Sequence, residues 1–320
     1  CKIPNGWRTC KAAPTVHGFQ SNTLDSLMKI LLLGKNGQVG CELQRSLAPL
    51  GELLALDRHS HSHCGDLANL EGLAETVRVF RPDVVVNAAA YTAVDKAESD
   101  AEMAHVVNAL APEVLARACA AIDATLIHYS TDYVFDGRGQ AAWREVDATG
   151  PLNVYGRSKL AGEQGIAKQG AKHVIFRTSW VYGTEGGNFA KTMLRLAQER
   201  EKMTVINDQF GAPTGAALLA DVTALALQAP QPLSGIYHLA AAGETTWFDY
   251  AQYVLKQAKA LKPSLKFLVK EVLPVATSEF PTPAKRPQNS RLNCSRLEQA
   301  LQIKLPVWQT GVDQLLAKIL

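Results

Sequence analysis

The sequence predicts an α/β protein built on a doubly wound parallel sheet, with a smaller lobe formed by the C-terminal part of the chain. Between residues 29 and 177, short apolar segments alternate with longer segments in which apolar residues recur at helical spacing. The short segments, such as KILLL and DVVVN, are apolar throughout, which is typical of parallel strands covered by helices on both faces. Strand–helix alternation with such strands indicates a doubly wound sheet.

Six strands are expected, at 29–33, 52–56, 83–87, 124–130, 172–177 and 235–239. Helices are expected near 39–49, 70–80, 100–121, 156–169 and 187–201. After about residue 178 the alternation stops, and two long connections rich in Pro and Gly follow, at 208–215 and 272–290. Long connections inside a compact protein are usually functional or disordered.

The domain organisation follows from this change of rhythm. Residues 28–178 are expected to form the sheet domain, to which 235–239 returns, and 179–320 mainly the smaller lobe. Residues 1–27 lack any periodicity and precede Met28, which leads directly into the first strand, so a disordered extension is expected there.

Composition excludes several classes of protein. The 320 residues are 47% hydrophobic and 20% charged, with a net charge of +3, which is ordinary for a globular protein. No basic cluster with interleaved aromatic residues indicates a nucleic-acid partner, and no apolar run approaches the roughly 18 residues of a membrane span. The six cysteines are scattered without a CxxC pair, which favours a reduced, cytoplasmic protein.

One histidine-rich run could suggest a metal site. His59, His61 and His63 precede Cys64 in RHSHSHCGD. The run lies where a connection between a strand and a helix is expected, so we interpret it as a solvated loop.

A glycine-rich loop predicts dinucleotide binding. Gly34, Gly37 and Gly40 follow the first strand and open the first helix, with Gln38 and Val39 between the last two. In this context Gly34 permits the tight turn, Gly37 lets the backbone approach a diphosphate, and Gly40 lets the helix pack closely on the strand. The amides at the helix N-terminus then face the phosphates. A purely structural turn is the alternative. With this loop, residues 28–178 are expected to be a Rossmann-like dinucleotide-binding domain.

The ends of the second and third strands offer the remaining cofactor contacts. Asp57 ends the second strand, where a carboxylate would accept a hydrogen bond from the adenosine ribose and favour NAD. Arg58 and Lys35 could instead neutralise a 2′-phosphate, so NADH and NADPH both stay open. Further candidates are Asp66 and Leu67 for the adenine, and Ala89 and Ala90 in NAAAY, where small side chains would let the dinucleotide cross the strand edge or would serve packing alone.

These motifs, together with Asn108 in VNALAP, HYSTDYVFDG (128–137) and the pair Tyr155 and Lys159, resemble the extended short-chain dehydrogenase/reductases. More narrowly, the chain is similar to the dTDP-4-dehydrorhamnose reductase family. The segments that carry this resemblance run in register from Met28 onward: GKNGQVGCELQRSL, AAYTAVDKAE, STDYVFDG, YGRSKLAGE, RTSWVYG and DQFGAPTG.

The resemblance implies reduction of the C4 ketone of dTDP-4-dehydro-β-L-rhamnose to dTDP-β-L-rhamnose by NADPH or NADH, for surface polysaccharide. It implies a catalytic trio of Thr131, Tyr155 and Lys159, of which Tyr155 and Lys159 also contact the cofactor, the lysine at the nicotinamide ribose. It further implies a partner that is a dTDP-sugar, with a homodimer expected. The substrate contacts that it implies or suggests are Val94, Thr131, Asp132, Tyr155, Trp180 and, for the diphosphate, Asn188 and Arg286.

The chemistry of the trio is consistent with this implication. Hydride addition to a ketone leaves an alkoxide, and a Tyr hydroxyl can protonate it. Lys159 lies one helical turn after Tyr155, so its ammonium is expected to lower the pKa of the phenol. Thr131 can donate a second hydrogen bond to the ketone oxygen, and Asp132 either orients the site or serves only as a strand-end residue.

Two further features bear on the reaction type and the metal. Related 4,6-dehydratases typically carry Thr-Asp-Glu, whereas this chain has Tyr133 in third place, which favours simple reduction. Some relatives hold Mg²⁺, and Glu42 matches one ligand position, but Ala216 and Ala217 stand where an acidic partner is expected. A complete metal site is therefore not expected.

Two alternatives to the reductase remain at this point. The same family includes a non-catalytic, nucleotide-binding regulatory subunit of methionine adenosyltransferase. A nucleotide-sugar epimerase would retain its cofactor and oxidise its substrate before reducing it.

Overall fold

A computed structural model describes residues 27–320. The expected extension at 1–27 lies outside the described residues except for Leu27. In chain order the strands are β1 (Met28–Leu33), β2 (Gly51–Leu56), β3 (Val84–Asn87), β4 (Thr125–Thr131), β5 (Lys172–Thr178), β6 (Val181–Tyr182), β7 (Lys202–Ile206), β8 (Phe210–Gly211), β9 (Thr214–Gly215), β10 (Gly235–His238), β11 (Thr245–Thr246) and β12 (Glu271–Val275).

The α-helices, in the same order, are α1 (Gln38–Leu47), α2 (Leu70–Phe80), α3 (Val94–Ala97), α4 (Ala101–His105), α5 (Ala111–Ala121), α6 (Val154–Lys168), α7 (Phe189–Glu199), α8 (Ala216–Leu227), α9 (Trp247–Leu261), α10 (Ser295–Leu301) and α11 (Trp308–Ile319). Short 3₁₀ turns occupy Ala48–Leu50, Asp132–Val134 and Thr277–Glu279, and a π-helical turn spans Val106–Leu110.

The central sheet has six parallel strands in the order β10-β5-β4-β3-β1-β2. The predicted α/β class and the six predicted strands are confirmed, with ends shifted by one residue or less. From β1 the chain first adds β2 on one side and then β3 on the other. The order therefore reverses between β1 and β3, and ligands of open α/β sheets bind at the carboxyl ends of the strands at such a point.

Alternating residues along β1 show why both faces of the sheet are covered. Ile30 and Leu32 belong to a core cluster shared with α1 and α8, whereas Leu31 and Leu33 belong to a cluster shared with α2, α5 and α6. All four side chains are fully buried. Complete burial of each contributes roughly 1.5–3 kcal/mol, which makes the strand a rigid support for the loop that follows it.

The C-terminal part of the chain adds its own apolar core. Helices α7, α9 and α11 share one cluster, and α7 and α9 pack with β7 in a second one. The prediction of a loop-rich region was wrong for Glu271–Val275, which forms β12 in parallel pairing with β7. Pro274 gave this stretch the character of a loop, but β12 pairs on one side only, so the missing N–H is tolerated.

Two other differences concern helices. The stretch predicted as one helix at 100–121 contains the π-helical turn Val106–Leu110 between α4 and α5. No helix was expected at α8, because its sequence AALLADVTALAL is apolar almost all round and shows no polar face. Such a helix is buried, and α8 packs against α1 and shares the core cluster on that face of the sheet, with Leu219 fully buried.

Candidate active site

The glycine loop adopts the geometry that its spacing predicts. Gly34 has φ +88°, and a Cβ there would lie 2.7 Å from the Ala89 amide nitrogen, so only glycine allows β1 and β3 to approach this closely. A Cβ at Gly40 would lie 1.9 Å from the Gly34 carbonyl oxygen. Gly37 is the N-cap of α1 and offers no side-chain cap. The amides of Gln38 and Val39, in the first turn, are therefore available to an anion.

Asp57 lies at the end of β2, beside this loop, as predicted. Its carboxylate accepts hydrogen bonds from the Asn36 side chain, from the His59 amide at 2.9 Å and from the Ser60 hydroxyl at 3.1 Å. Lys35 Nζ lies 4.0 Å away. Arg58 is exposed and contacts His59. The carboxylate of Asp57 and the basic side chains of Lys35 and Arg58, the candidates for contact with the ribose, therefore all lie at the end of β2.

The other predicted cofactor contacts lie along the same edge. Asp66 accepts from the Ala68 amide at 3.0 Å, and the Leu67 side chain is buried in the core cluster of α2 and α5. The Ala89 amide donates to Asn87 Oδ1 at 3.2 Å, and Ala90 follows at the strand end. Asn108, in the π-helical turn, holds both backbone groups of Tyr91 and contacts Ser158 on α6.

The histidine-rich run forms an exposed loop after β2. His59 and His61 are exposed, and Arg58, His63 and Asp66 line the same open hollow. Within residues 27–320 no three His, Cys, Asp or Glu side chains are grouped closely enough to hold a metal ion.

Thr131, Tyr155 and Lys159 come together where β4 ends and α6 begins. Thr131 is the last residue of β4, and its hydroxyl accepts from the Tyr133 amide at 3.1 Å. Asn153 caps α6 by accepting from the Gly156 amide at 2.8 Å, which places Tyr155 in the first turn. A Cβ at Gly156 would lie 2.3 Å from the Tyr133 carbonyl oxygen, so this glycine allows the helix to approach the end of the strand.

Burial rather than lysine dominates the environment of the Tyr155 phenol. Desolvation raises the pKa of Tyr155 to about 12, hydrogen bonding with Thr131 acts in the opposite direction, and the charge of Asp132 raises it further. The expected lowering of this pKa by Lys159 is therefore wrong for this structure. A phenol with a raised pKa is fully protonated at neutral pH.

The reason lies in where the lysine nitrogen is directed. Lys159 is 1% exposed, and its Nζ donates to the Tyr129 carbonyl at 2.6 Å and lies 3.1 Å from His128 Nε2. Desolvation lowers the pKa of Lys159 to about 8, although the charge of Glu163 raises it. The lysine is thus bound to β4, one helical turn from the phenol.

Asp132 is a buried carboxyl group at the bottom of the site. It is 2% exposed, and its Oδ1 accepts from the Thr131 hydroxyl at 3.2 Å, whereas Oδ2 has no hydrogen-bond partner among the described residues. Desolvation raises the pKa of Asp132 to about 7, although the nearby Ser290 and Thr131 side chains act in the opposite direction. Such a group can donate or accept a hydrogen bond near neutral pH.

The predicted substrate contacts lie on several elements. Val94 begins α3, next to Asp95, which binds Arg286 through two hydrogen bonds of 3.0 and 2.7 Å. Arg286 also interacts with Tyr133, whose ring meets that of Tyr155 edge-on at 5.7 Å. This places Arg286 near the phenol.

Asn188 contacts a different part of the site. It caps α7, and its Nδ2 donates to the Gly183 carbonyl at 2.8 Å and approaches Gln38 Oε1 at 3.4 Å. Asn188, suggested for the diphosphate together with Arg286, is thus held beside the glycine loop, whereas Arg286 is held by Asp95, and no hydrogen bond within residues 27–320 joins the two.

Trp180 forms an aromatic wall with a residue that the sequence did not indicate. It has φ +48° and stacks on Trp247 with ring centroids 3.6 Å apart. A Cβ at Gly211 would lie 2.7 Å from the Trp180 ring. Trp247, Tyr133, Asp95 and His128 are the residues of this region that sequence reasoning missed. Only Tyr133 carried a signal, as the third residue of Thr-Asp-Tyr.

Glu42 does not fit a magnesium site. Its carboxylate accepts from Arg45 Nε at 3.1 Å and lies 3.9 Å from Lys318 Nζ, in a cavity of about 220 Å³ that Asp221 also lines. Two cations already face this carboxylate, and Asp221 is paired with Arg45 at 2.6 Å. A hard cation requires several free oxygen ligands, which these residues do not offer.

Within residues 27–320, every helix is too short or too polar to span a lipid bilayer.

Comparison with known proteins gives consistent results. The family model of the RmlD substrate binding domain matches residues 28–320. The chain is similar to dTDP-4-dehydrorhamnose reductase of Escherichia coli K12, with 57% identity over 296 residues, covering 91% of this chain and 98% of that protein. It is also similar to solved structures of dTDP-4-dehydrorhamnose reductase from Clostridium acetobutylicum and, in complex with NADP, from Bacillus anthracis. Each has a TM-score of 0.83 and 34% identity and covers 91% of this chain and 99% of that chain.

Proposed function

The chain belongs to the dTDP-4-dehydrorhamnose reductase family and is an NAD(P)H-dependent oxidoreductase, and from this premise we propose that Tyr155 protonates the C4 oxygen of the sugar during reduction. The observation that supports the proposal most strongly is the arrangement of Thr131, Tyr155 and Lys159. All three lie where β4 ends and α6 begins, at the same sheet edge as the glycine loop after β1.

The glycine loop and the edge beside it fit a dinucleotide. The amides of the first turn of α1 face outward without a side-chain cap, and Gly34 and Gly40 allow the close approach of β1, β3 and α1. Asp57 and Lys35 would meet the adenosine ribose. The bound cofactor supplies the hydride that adds to the ketone carbon. The NADP in the Bacillus anthracis structure supports NADPH, and Asp57 supports NADH as a second possibility.

Tyr155 is suited to donate a proton. Because desolvation raises its pKa to about 12, the phenol carries its proton throughout the neutral range. An alkoxide is far more basic than a phenolate, so the proton moves to the C4 oxygen as negative charge develops there. Thr131 stabilises the same oxygen through a second hydrogen bond, aimed at the place where charge develops.

We infer that Lys159 stabilises the phenolate that remains after proton transfer, which requires its Nζ to turn from the Tyr129 carbonyl toward the phenol during turnover. Its ammonium lies one turn along α6 and, with a pKa of about 8, is largely protonated at neutral pH. Activity is therefore expected to fall as the pH rises through this value, since the neutral amine no longer stabilises the phenolate.

The substrate would extend from this centre toward the C-terminal lobe. The Trp180–Trp247 stack offers an aromatic surface. Val94 and Asp132 would contact the sugar. Arg286 and Asn188 are the candidates for the diphosphate. Since Asp95 neutralises Arg286, this guanidinium would have to share its hydrogen bonds with the incoming phosphate.

The wider role rests on the family membership. We infer that the product, dTDP-L-rhamnose, is made in the cytoplasm for surface polysaccharide and that the protein works as a homodimer. Size-exclusion chromatography with light scattering tests the last point, and a mass of one chain would contradict it.

The direct test supplies purified protein with dTDP-4-dehydro-L-rhamnose and NADPH and follows the loss of nicotinamide absorbance. Stoichiometric oxidation of NADPH with formation of dTDP-L-rhamnose supports the proposal. Epimerisation of the sugar without net NADPH oxidation, or no reaction at all, would overturn it.

A further inference from the structure

Asn87 and His128 form a buried contact, and neither residue has a role in the reaction described above. His128 lies on β4, facing α6, and is 1% exposed. Its Nδ1 lies 3.2 Å from Asn87 Nδ2, and its Nε2 lies 3.1 Å from Lys159 Nζ. It therefore joins the end of β3 to the lysine of the catalytic trio.

The hydrogen bond between Ala89 and Asn87 determines which atoms donate and which accept in the rest of the chain of hydrogen bonds. The Ala89 amide can only donate, and it donates to Asn87 Oδ1 at 3.2 Å. The Asn87 amide nitrogen must then face His128, so His128 Nδ1 accepts. Reversing the Asn87 amide would place two donors against each other at Ala89.

His128 is neutral, so its second nitrogen must carry the proton. Desolvation, followed by the charge of Lys159, holds the pKa of His128 well below its usual value. A neutral imidazole has one donor and one acceptor nitrogen. With Nδ1 accepting from Asn87, the Nε2–H of His128 points at Lys159 Nζ.

A protonated lysine cannot accept that hydrogen bond. An ammonium has three donors and no acceptor, whereas a neutral amine can accept from His128 and still donate to the Tyr129 carbonyl. We propose that His128, fixed as its Nε2–H tautomer by Asn87, is a positioning residue that shifts the protonation equilibrium of Lys159 toward the neutral amine, the only form that can accept its hydrogen bond. This deepens the proposed function and rests on it for the role of Lys159 in turnover.

The groups around Lys159 have opposite effects on its protonation. Glu163, on the same helix as Lys159, favours the ammonium form. Its carboxylate, however, is bound by Arg177 of β5 at 2.6 and 2.9 Å and by the Ser130 hydroxyl of β4. Tyr155 on α6 adds no charge while protonated. His128 is therefore the group in direct contact with Lys159 Nζ that can bias its protonation.

The tautomer is measured directly by ¹⁵N NMR of protein labelled at histidine, with the His128 signals identified by their loss in His128→Gln. The expected result is a protonated Nε2 and an unprotonated Nδ1 at neutral pH, in the unmodified protein. A protonated Nδ1 would overturn the proposal. This measurement needs no substrate, so it stands whether or not the protein reduces the sugar.

The effect on Lys159 is tested by the pH profile of kcat/KM in His128→Gln. The new amide is not fixed by Asn87 and can turn its oxygen toward the ammonium, so the alkaline limb is expected to move up by about one pH unit. A limb that stays or moves down would contradict the proposal. Thr223→Val is the matched control, because it removes a buried hydroxyl bound to the Tyr129 side chain and leaves Lys159 untouched. Its alkaline limb is expected to stay where it is.

Discussion

Replacing Glu163 by Gln is expected to destabilise the protein and to shift its activity profile together. Glu163 and Arg177 form an ion pair in which each side chain is only 3% exposed. Two hydrogen bonds, of 2.6 and 2.9 Å, join the guanidinium to the carboxylate, and the Ser130 hydroxyl donates a third. The substitution would leave the Arg177 charge buried without a counter-ion.

The magnitude follows from this burial. Breaking a buried pair by removing one partner costs about 3–5 kcal/mol. Because Gln keeps one acceptor oxygen, we expect the lower end, about 3 kcal/mol. For a chain of 320 residues, that corresponds to a fall in Tm of roughly 4–5 °C.

Thermal unfolding of Glu163→Gln beside Glu199→Gln is the appropriate assay. Glu199→Gln makes the same substitution in an ion pair with Arg195 that is open to solvent, since the Glu199 side chain is 50% exposed and that of Arg195 is 59% exposed. Exposed pairs contribute about 0–1 kcal/mol, so the control should change Tm by no more than about 1–2 °C. Equal Tm values for the two variants would refute the reasoning about the buried pair.

The same variant has a second readout in the active site. Glu163 raises the pKa of Lys159, which lies one turn away on α6. Without its charge, the alkaline limb of kcat/KM is expected to move to lower pH, opposite to the shift expected for His128→Gln. The two shifts together test the balance around Lys159.

Three further changes have outcomes that the structure predicts. Lys159→Met should abolish turnover yet raise the free energy of unfolding by up to about 3 kcal/mol below pH 8, because desolvation lowers the pKa of the buried lysine to about 8. This gain in stability should disappear as the pH rises toward 10.5. Denaturant titrations at several pH values measure it. The unmodified protein should lose stability as the pH rises from about 4 to about 7, since desolvation raises the pKa of the Asp132 carboxyl to about 7. Asp132→Asn should remove this loss. The same pH dependence of stability in the variant and in the unmodified protein would contradict this. Gly40→Ala should weaken NADPH binding at least about 10-fold, because its Cβ would lie 1.9 Å from the Gly34 carbonyl oxygen; fluorescence titration measures it.

Local patterns predicted much of the fold and part of the site. The strands of the sheet could be predicted because each is a short apolar run. The glycine loop and the Tyr155–Lys159 pair could be predicted because the residues of each motif lie within a few positions of one another in the sequence. The structure confirms the α/β class and the reason for glycine at Gly34 and Gly40. The roles of the trio residues stay a prediction until they are measured.

The remainder depends on contacts between distant residues. His128 meets Asn87 across 41 positions, and Arg286 meets Asp95 across 191. No spacing in the sequence predicts such pairs. The pKa of Tyr155 was wrongly expected to be lowered, because helical spacing placed Lys159 near the phenol but could not show that its nitrogen binds β4.

The central claim is that Tyr155 supplies the proton to the C4 oxygen, and Tyr155→Phe tests it most directly. Turnover of dTDP-4-dehydro-L-rhamnose is measured beside the Kd for NADPH in the same preparation. Because general acid catalysis contributes about 10²–10⁴-fold, kcat is expected to fall at least about 100-fold while the Kd stays within about twofold. A kcat close to that of the unmodified protein would contradict the claim.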